Sequence, residues 1–169
     1  DFVRYKDSCG SILTACEIAA WCKANGTTVY EYMIEIYKEV GFYYEGLINV
    51  VRKGRTGAEE ITQMMSDFRS NPPKEIAGSL VEEVKDFKEQ TCFVVSKNEK
   101  KVMDDIPKSN VLIFYTQDGT KVCVRPSGTE PKIKFYVSVK DSISSKEDFV
   151  AKLPKLEEKI AKVKQDLNL

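Results

Sequence analysis

The sequence predicts an α+β protein, in which a helix-rich first segment precedes a small antiparallel sheet with helices on one side. Three observations predict it. Apolar residues recur at helical spacing before Asn71, and apolar and polar residues alternate from Ile133 to Lys140. Asn71-Pro72-Pro73 separates the two patterns. We therefore expect a domain boundary within residues 71–78, which divides the chain into 1–75 and 76–169.

The first segment predicts two helices joined at Gly26. Residues 11–25 are apolar nearly all round, so we expect that helix to be buried on most faces. Gly26 suits its C-terminal end. Thr28 and Glu31 form a capping-box pattern for the second helix, which Gly41 ends. The apolar stripe of this second helix consists of Val29, Met33, Ile36, Tyr37 and Val40.

A strand and a third helix follow. Residues 43–51 are rich in aromatic and β-branched side chains, as strands are. Thr56 and Glu59 suggest another capping box. Helical spacing then continues until the prolines stop it, through Ile61, Met64, Met65 and Phe68.

The second segment predicts a series of strands. They cover residues 80–87, 92–96, 111–116, 122–125 and 133–140. Gln117-Asp118-Gly119 predicts a hairpin turn. In the last strand, Ile133, Phe135, Val137 and Val139 alternate with polar residues, which is typical of a half-buried antiparallel strand.

A final helix is expected after Ser145. Its apolar face consists of Phe149, Leu153, Leu156, Ile160, Val163 and Leu167. Pro154 either kinks this helix or begins a second one. The spacing also fits a short coiled coil, but we favour docking on the sheet because natural coiled coils usually run longer.

Composition excludes several classes of function. Lys plus Arg equals Asp plus Glu at 26 each, which argues against bulk electrostatic binding of nucleic acid or anionic membranes. No stretch approaches the roughly 20 apolar residues of a membrane span. Histidine is absent, which removes Ser-His-Asp, Cys-His and His-metal chemistry from this chain. Five cysteines without a metal-like spacing indicate reduced thiols in a cytoplasmic protein.

The start of the chain resembles an internal cut. Asp1-Phe2-Val3-Arg4 lacks an initiator Met, and no signal peptide pattern follows it. We expect the chain to be part of a longer protein.

One loop, residues 125–131, carries residues suited to binding a phosphate. Arg125 offers a planar fork of donors, and Ser127 and Thr129 add hydroxyl groups. Gly128 permits a positive φ and close approach of the backbone to a ligand. Lys132 and Lys134 add positive charge nearby, and Glu130 is expected to orient Arg125 or cap a backbone amide.

A structural interpretation of this loop is equally open from residue types alone. Pro, Ser, Gly and Thr are what any connecting loop needs, and an Arg at a strand end is often a solvated charge.

The stretch 125–136, Arg-Pro-Ser-Gly-Thr-Glu-Pro-Lys-Ile-Lys-Phe-Tyr, closely resembles the C-terminal phosphate-binding signature of the α-D-phosphohexomutase family. Residues 2–7 resemble that family's Arg-x-Lys-Asp segment, and residues 71–78 resemble its link into a fourth domain. The resemblance implies that residues 1–75 are the end of the third, α/β domain. Residues 76–169 would then be the whole fourth domain, a TATA-binding-protein-like fold.

The resemblance also implies residue roles. The phosphate that is not being transferred would be bound by Arg125, Ser127, Gly128 and Thr129, with Glu130 and Lys132 in support. Lys6 matches a family lysine that faces the active site, and Arg4 and Asp7 would support its segment. Without the resemblance, Lys6 is simply an exposed lysine near a chain end.

The chemistry implied by the resemblance is the interconversion of sugar 1-phosphates and 6-phosphates through a phosphoserine and a bisphosphate. The phosphoserine and the ligands of a magnesium ion would lie upstream of this chain. Asp104 and Asp105 are adjacent and are interpreted as a solvated pair. The expected partners are the phosphosugar and the missing upstream domains, with no nucleic acid or membrane.

Two rival interpretations remain. The chain is alternatively a non-enzymatic anion-binding or nucleic-acid module on a small antiparallel sheet, for which Tyr136 and its neighbouring lysines offer a thin basis. It is alternatively a structural or interaction domain whose first helices cover a partner.

Overall fold

The computed structural model describes residues 6–54 and 56–169, and it confirms the α+β class. The helices are α1 (Ser8–Ala24), α2 (Val29–Val40), α3 (Gly57–Ser70) and α4 (Lys146–Asp166). The strands are β1 (Phe42–Val51), β2 (Glu75–Ile76), β3 (Ser79–Asp86), β4 (Thr91–Val94), β5 (Glu99–Val102), β6 (Leu112–Thr116), β7 (Lys121–Pro126) and β8 (Lys132–Asp141). The sequence did not predict β2 or β5.

Within the described residues these strands form one sheet in the order β1-β8-β7-β6-β3-β4-β5, with β2 paired to β3. Successive neighbours from β8 to β5 are antiparallel. The predicted hairpin turn joins β6 to β7, and Gly119 adopts φ 80° there. The sheet therefore brings β1, which precedes the prolines, beside the C-terminal strand β8.

One face of the sheet forms the core. The alternation predicted for β8 is confirmed, because Ile133, Phe135, Val137 and Val139 are all 0% exposed. Val122 and Val124 of β7 lie on the same buried face. The alternate positions of β8 face the opposite side of the sheet, and they include Lys132, Lys134, Tyr136 and Lys140.

Two helices pack on this buried face. Phe68 of α3 contacts Phe114 and Phe135, with ring centroids 6.1 and 5.9 Å apart respectively. Ile160 of α4 lies against Gly46 of β1. Docking on the sheet is thus confirmed for α4, and Pro154 lies inside one continuous helix rather than beginning a second.

The chain divides into two compact units, of which the sheet with α3 and the later part of α4 is one. The other comprises residues 6–42 and 142–151, with α1, α2 and the beginning of α4. Its centre is an aromatic cluster in which the ring centroids of Phe42 and Phe149 lie 4.8 Å apart, and the ring of Tyr37 packs beside them.

The expectation that α1 is buried on most faces is wrong for this chain. Ile12 and Leu13 are 63% and 70% exposed, and Trp21 is 51% exposed. Cys22 is the buried residue of this helix. An all-round apolar helix needs partners on several sides, and α2 covers only part of it.

The stripe predicted for α2 is also partly wrong. Ile34 is its buried residue, whereas Val29, Ile36 and Val40 are 41% to 61% exposed. Met33 and Tyr37 lie on the inner side, so the true inward face is rotated towards Ile34.

The two predicted capping boxes have different outcomes. The box at Thr28 and Glu31 is confirmed, with the Glu31 N–H donating to the Thr28 hydroxyl at 3.1 Å and the Thr28 N–H donating to the Glu31 carboxylate at 3.0 Å. The box at Thr56 and Glu59 is wrong. Thr56 has helical backbone angles, and its hydroxyl donates to Glu60 at 3.1 Å instead of capping the helix.

The division of the chain at residues 75 and 76 between two domains of a longer enzyme stays a prediction. Among the described helices, none combines the length and apolar character needed to span a membrane.

Candidate functional site

The β7–β8 hairpin presents the loop that the sequence singled out. Arg125 of β7 lies directly opposite Lys134 of β8 in the antiparallel register. Val124 and Phe135 point into the core, so Arg125 and Lys134 project from the opposite, open face of the sheet. The core packing of these strands therefore fixes the backbone positions from which the Arg125 and Lys134 side chains extend.

The loop between the strands is held by its own hydrogen bonds. The N–H of Ser127 donates to the Lys132 carbonyl oxygen at 2.8 Å, which closes the base of the loop. The Ser127 hydroxyl oxygen accepts from the N–H groups of Thr129 and Glu130 at 3.4 and 3.3 Å. These two N–H groups are thus directed at Ser127 rather than at a ligand.

A further bond ties the loop to β1. The N–H of Arg52, just after β1, donates to the Pro131 carbonyl oxygen at 3.0 Å. Gly57 lies so close to Arg52 that a Cβ atom there would be 2.1 Å from the Arg52 carbonyl oxygen. The position of the loop therefore depends on a tight backbone contact that the sequence did not reveal.

A cavity of about 200 Å³ lies beside the loop. Its walls consist of Arg125, Pro126, Ser127, Gly128, Glu130, Lys132, Lys134 and Tyr136. Three of the four residues predicted to bind phosphate thus surround one cavity. The fourth, Thr129, is exposed and is not among the residues that form its walls.

Gly128 differs from the sequence-based expectation in its backbone. It is not among the glycines with positive φ. An added Cβ atom would meet no heavy atom within 4 Å. The described residues therefore do not require glycine at this position.

Charge is unevenly distributed around the cavity. The Lys132 ammonium forms an ion pair with the Glu130 carboxylate. The hydrogen bond and charge of Lys132, and then the charge of Lys134, hold the pKa of Glu130 below its usual value. Glu130 therefore pairs with Lys132 rather than orienting Arg125. Within the described part of the chain, neither Arg125 nor Lys134 has a carboxylate partner.

The predicted site residues near the start of the chain belong to the other unit. Lys6 is exposed. Asp7 caps α1, because its carboxylate accepts from the Cys9 N–H at 3.1 Å. Arg4 lies outside the described residues.

Sequence reasoning noted Lys134 as positive charge near the loop and Tyr136 only for the nucleic-acid alternative, and it counted neither among the site residues. Their positions in the alternating pattern of β8 place them on the same face of the sheet as Lys132. This alternation was the signal that could have identified them. Among the described residues, no group of three or more Cys, Asp or Glu side chains is arranged to hold a metal ion.

Comparison with known proteins gives the family. Residues 47–153 match the family described as phosphoglucomutase/phosphomannomutase, C-terminal domain. A phosphoglucomutase of Staphylococcus aureus strain MRSA252 is 37% identical over 139 residues, which is 82% of this chain and 25% of that protein. The phosphoglucomutase of Staphylococcus aureus strain bovine RF122 / ET3-1 is 36% identical over 139 residues, which again is 82% of this chain and 25% of that protein. The aligned stretch thus spans a quarter of these relatives.

A solved structure also resembles the chain. It is the open form of parafusin, an exocytosis-sensitive phosphoprotein and phosphoglucomutase from Paramecium, with a TM-score of 0.47 and 17% identity over 98% of this chain and 28% of that one. The family assignment rests on the domain match. The chain belongs to the phosphoglucomutase/phosphomannomutase family and contains its C-terminal domain.

Proposed function

We propose that this chain is the phosphate-binding portion of an enzyme that interconverts sugar 1-phosphates and 6-phosphates through a phosphoserine and a bisphosphate intermediate. Loop 125–131 holds the phosphate that is not being transferred. The observation that carries the proposal is the Arg125 guanidinium, which has no carboxylate partner among the described residues and lines the same cavity as Ser127 and Gly128.

The chemistry of the cavity suits a phosphate. A guanidinium donates two parallel hydrogen bonds to two phosphate oxygens and keeps its charge at all physiological pH values. The Ser127 hydroxyl accepts from two backbone N–H groups, which leaves its own proton available to a ligand oxygen. Gly128 lets the phosphate approach the backbone without meeting a side chain.

Such a site suits a mutase because the substrate must bind in two orientations. A loop that recognises phosphate through charge and donors, without contacting the sugar, accepts either end of a bisphosphate. Holding that end fixed positions the other end for transfer.

Other parts of the reaction belong to the upstream sequence in this proposal. The described residues contain no cluster of side chains suited to holding magnesium, so we assign no metal-dependent step of the reaction to them. Lys6, exposed beside α1, would assist proton transfer or stabilise charge in the full enzyme. The five free cysteines suit a cytoplasmic location.

Calorimetric titration of the 169-residue chain with glucose 6-phosphate tests the proposal. We expect Arg125→Ala to weaken binding by about tenfold or more, and Arg125→Lys to recover part of it, since lysine keeps the charge but loses the fork. Lys100→Ala, a change on exposed strand β5, is the matched control and should bind like the parent. Unchanged binding by Arg125→Ala would overturn the proposal. Salt-dependent binding of an oligonucleotide, equal in the parent and in Arg125→Ala, would favour the nucleic-acid alternative instead.

A further inference from the structure

We infer that a second cavity binds a flat, uncharged aromatic molecule that carries a hydrogen-bond donor beside an acceptor, as the base of a purine nucleoside does. This linker cleft lies between residues 70–74, which follow α3, and strands β3 and β4. Its volume is about 640 Å³, and ligand pockets commonly span about 300 to 1,000 Å³. Among the described residues it shares no wall with the cavity beside loop 125–131, so the inference is independent of the proposed function.

The linker cleft continues the apolar face of the sheet beyond β6. Val84 of β3 pairs with Phe114 of β6 and with Phe93 of β4, so all three side chains face the core side of the sheet. A bulge between Val81 and Glu83 places Val81 on that same face, where it is buried. α3 packs on this face at Phe114, and the residues that follow α3 then form one wall of the cleft.

Apolar residues supply the broad surfaces of the linker cleft. Pro72 and Pro73 of the linker and Phe93 of β4 are half-buried. Leu80 and Val95 are 53% and 44% exposed. An aromatic ring bound here would remove apolar area from water and would pack against the ring of Phe93. The cleft is therefore suited to a flat aromatic ligand.

The charges that border the linker cleft balance. Lys74 contributes one positive charge and Glu82 contributes one negative charge. The cavity beside loop 125–131, by contrast, has three cationic residues and one carboxylate. An ionised ligand would lose hydration against the apolar walls without a net opposite charge to compensate, so an uncharged ligand fits the linker cleft better.

Two side-chain amides at the linker cleft have no hydrogen-bond partner among the described residues. They belong to Asn71 and Gln117. The backbone N–H groups of these two residues donate to the carbonyl oxygens of Asp67 and Leu80 at 2.8 and 2.9 Å, which fixes the backbone at both positions. Each amide offers a donor beside an acceptor, and this pair matches the amino group and neighbouring ring nitrogen of adenine through two parallel hydrogen bonds. A few polar groups on apolar walls are typical of a small-molecule site, and here they favour a purine base.

Calorimetric titration of the 169-residue chain with adenosine tests the inference. We expect saturable binding with a dissociation constant of about 1 mM or lower. The riboside of 6-dimethylaminopurine has no donor on its amino group and should bind the parent about tenfold more weakly. Asn71→Leu combined with Gln117→Met removes both amides, so this double variant should bind the two nucleosides about equally.

Variants of the apolar wall locate the bound nucleoside. Val95→Asp places a carboxylate in the wall and should weaken adenosine binding by about tenfold or more. Val102→Asp is the matched control, because Val102 is 73% exposed on β5 and lies outside the linker cleft, and it should bind like the parent. Arg125→Ala should also bind adenosine like the parent, since Arg125 lines the other cavity.

Several results would overturn the inference. They are the absence of saturable adenosine binding, equal binding by Val95→Asp and Val102→Asp, and loss of binding in Arg125→Ala. An undiminished preference for adenosine in the double variant would refute the role of the amides. A parent that dimerises in sedimentation while Val95→Asp stays monomeric would show that a second copy of the chain fills the cleft instead. These outcomes leave the proposed function untouched, since that function depends on whether Arg125→Ala loses glucose 6-phosphate.

Discussion

Replacement of Gly57 by alanine would place a Cβ atom 2.1 Å from the Arg52 carbonyl oxygen and 2.8 Å from its carbonyl carbon. Real Cβ atoms essentially never approach closer than 3.0 Å. The obstructing atoms are backbone, so they cannot move aside as a side chain would. The Arg52 segment must shift, and the same residue donates the hydrogen bond that holds Pro131 at 3.0 Å.

Two opposing effects set the size of the change. Overpacking of this kind costs about 1 to 3 kcal/mol. Alanine inside a helix is favoured over glycine by about 0.5 to 1 kcal/mol, although Gly57 is the first residue of α3 and gains only part of this. We therefore expect the free energy of unfolding to fall by about 1 to 2 kcal/mol. We also expect phosphate binding to weaken, because the displaced Arg52 releases one end of the loop.

Urea unfolding followed by circular dichroism measures the first effect, and phosphosugar titration measures the second. Gly128→Ala is the matched control for stability, since its Cβ atom would meet nothing within 4 Å and its φ is not positive. That variant should be as stable as the parent or slightly more stable. If Gly57→Ala is as stable as Gly128→Ala, the close contact with Arg52 does not exist as described.

Three further predictions concern stability. Asp118 is partly buried, which alone would raise its pKa, but hydrogen bonds from Lys159, Thr116 and Thr120 outweigh burial and lower it. Because the pKa of Asp118 is lower in the folded protein, the ionised carboxylate stabilises the fold fully above the unfolded value near 3.8, and this stabilisation is lost as the pH falls further. Asp118→Asn should lower the free energy of unfolding by about 1 kcal/mol at pH 7 and flatten the acid limb of a pH–stability curve. An unchanged acid limb would contradict this prediction. Thr28→Ala removes the cap of α2 and should cost about 1 kcal/mol in urea unfolding, whereas no loss would show that the capping box is not formed in solution. Phe135→Ala empties a fully buried site in β8 and should cost about 3 to 5 kcal/mol, and a loss below 1 kcal/mol would contradict its central position in the core.

The sequence predicted the parts of the fold that local pattern determines. The alternation in β8 predicted which side chains are buried, because strand geometry directs successive residues to opposite faces. The same pattern placed the loop 125–131 directly before a buried strand. Thr28 and Glu31 predicted a cap correctly because the residues that form it are only three positions apart.

The elements that were missed depend on distant contacts. β5 consists largely of charged residues at the edge of the sheet, where charge is tolerated and no alternation is needed. β2 has two residues and exists through pairing with β3. The Thr56 box failed because Thr56 itself adopts helical backbone angles.

Around the site, the sequence indicated several of the residues that line the cavity but not the distribution of charge among them. Nothing in the sequence shows that Glu130 pairs with Lys132, since the choice between Lys132, Lys134 and Arg125 depends on side-chain geometry. The sequence around Arg52 and Gly57 is that of an ordinary turn, so it gave no sign of the tight contact between these two residues.

The most direct test of the central claim is an NMR titration of the 169-residue chain with glucose 6-phosphate, following the Nε–H signal of Arg125 together with backbone amide signals. We predict that the Arg125 signal and the amides of Ser127 and Gly128 shift in a saturable way, while those of α1 and α2 stay in place. Shifts confined to other surfaces, or no saturable shift at Arg125, would contradict the assignment of this loop as the phosphate site.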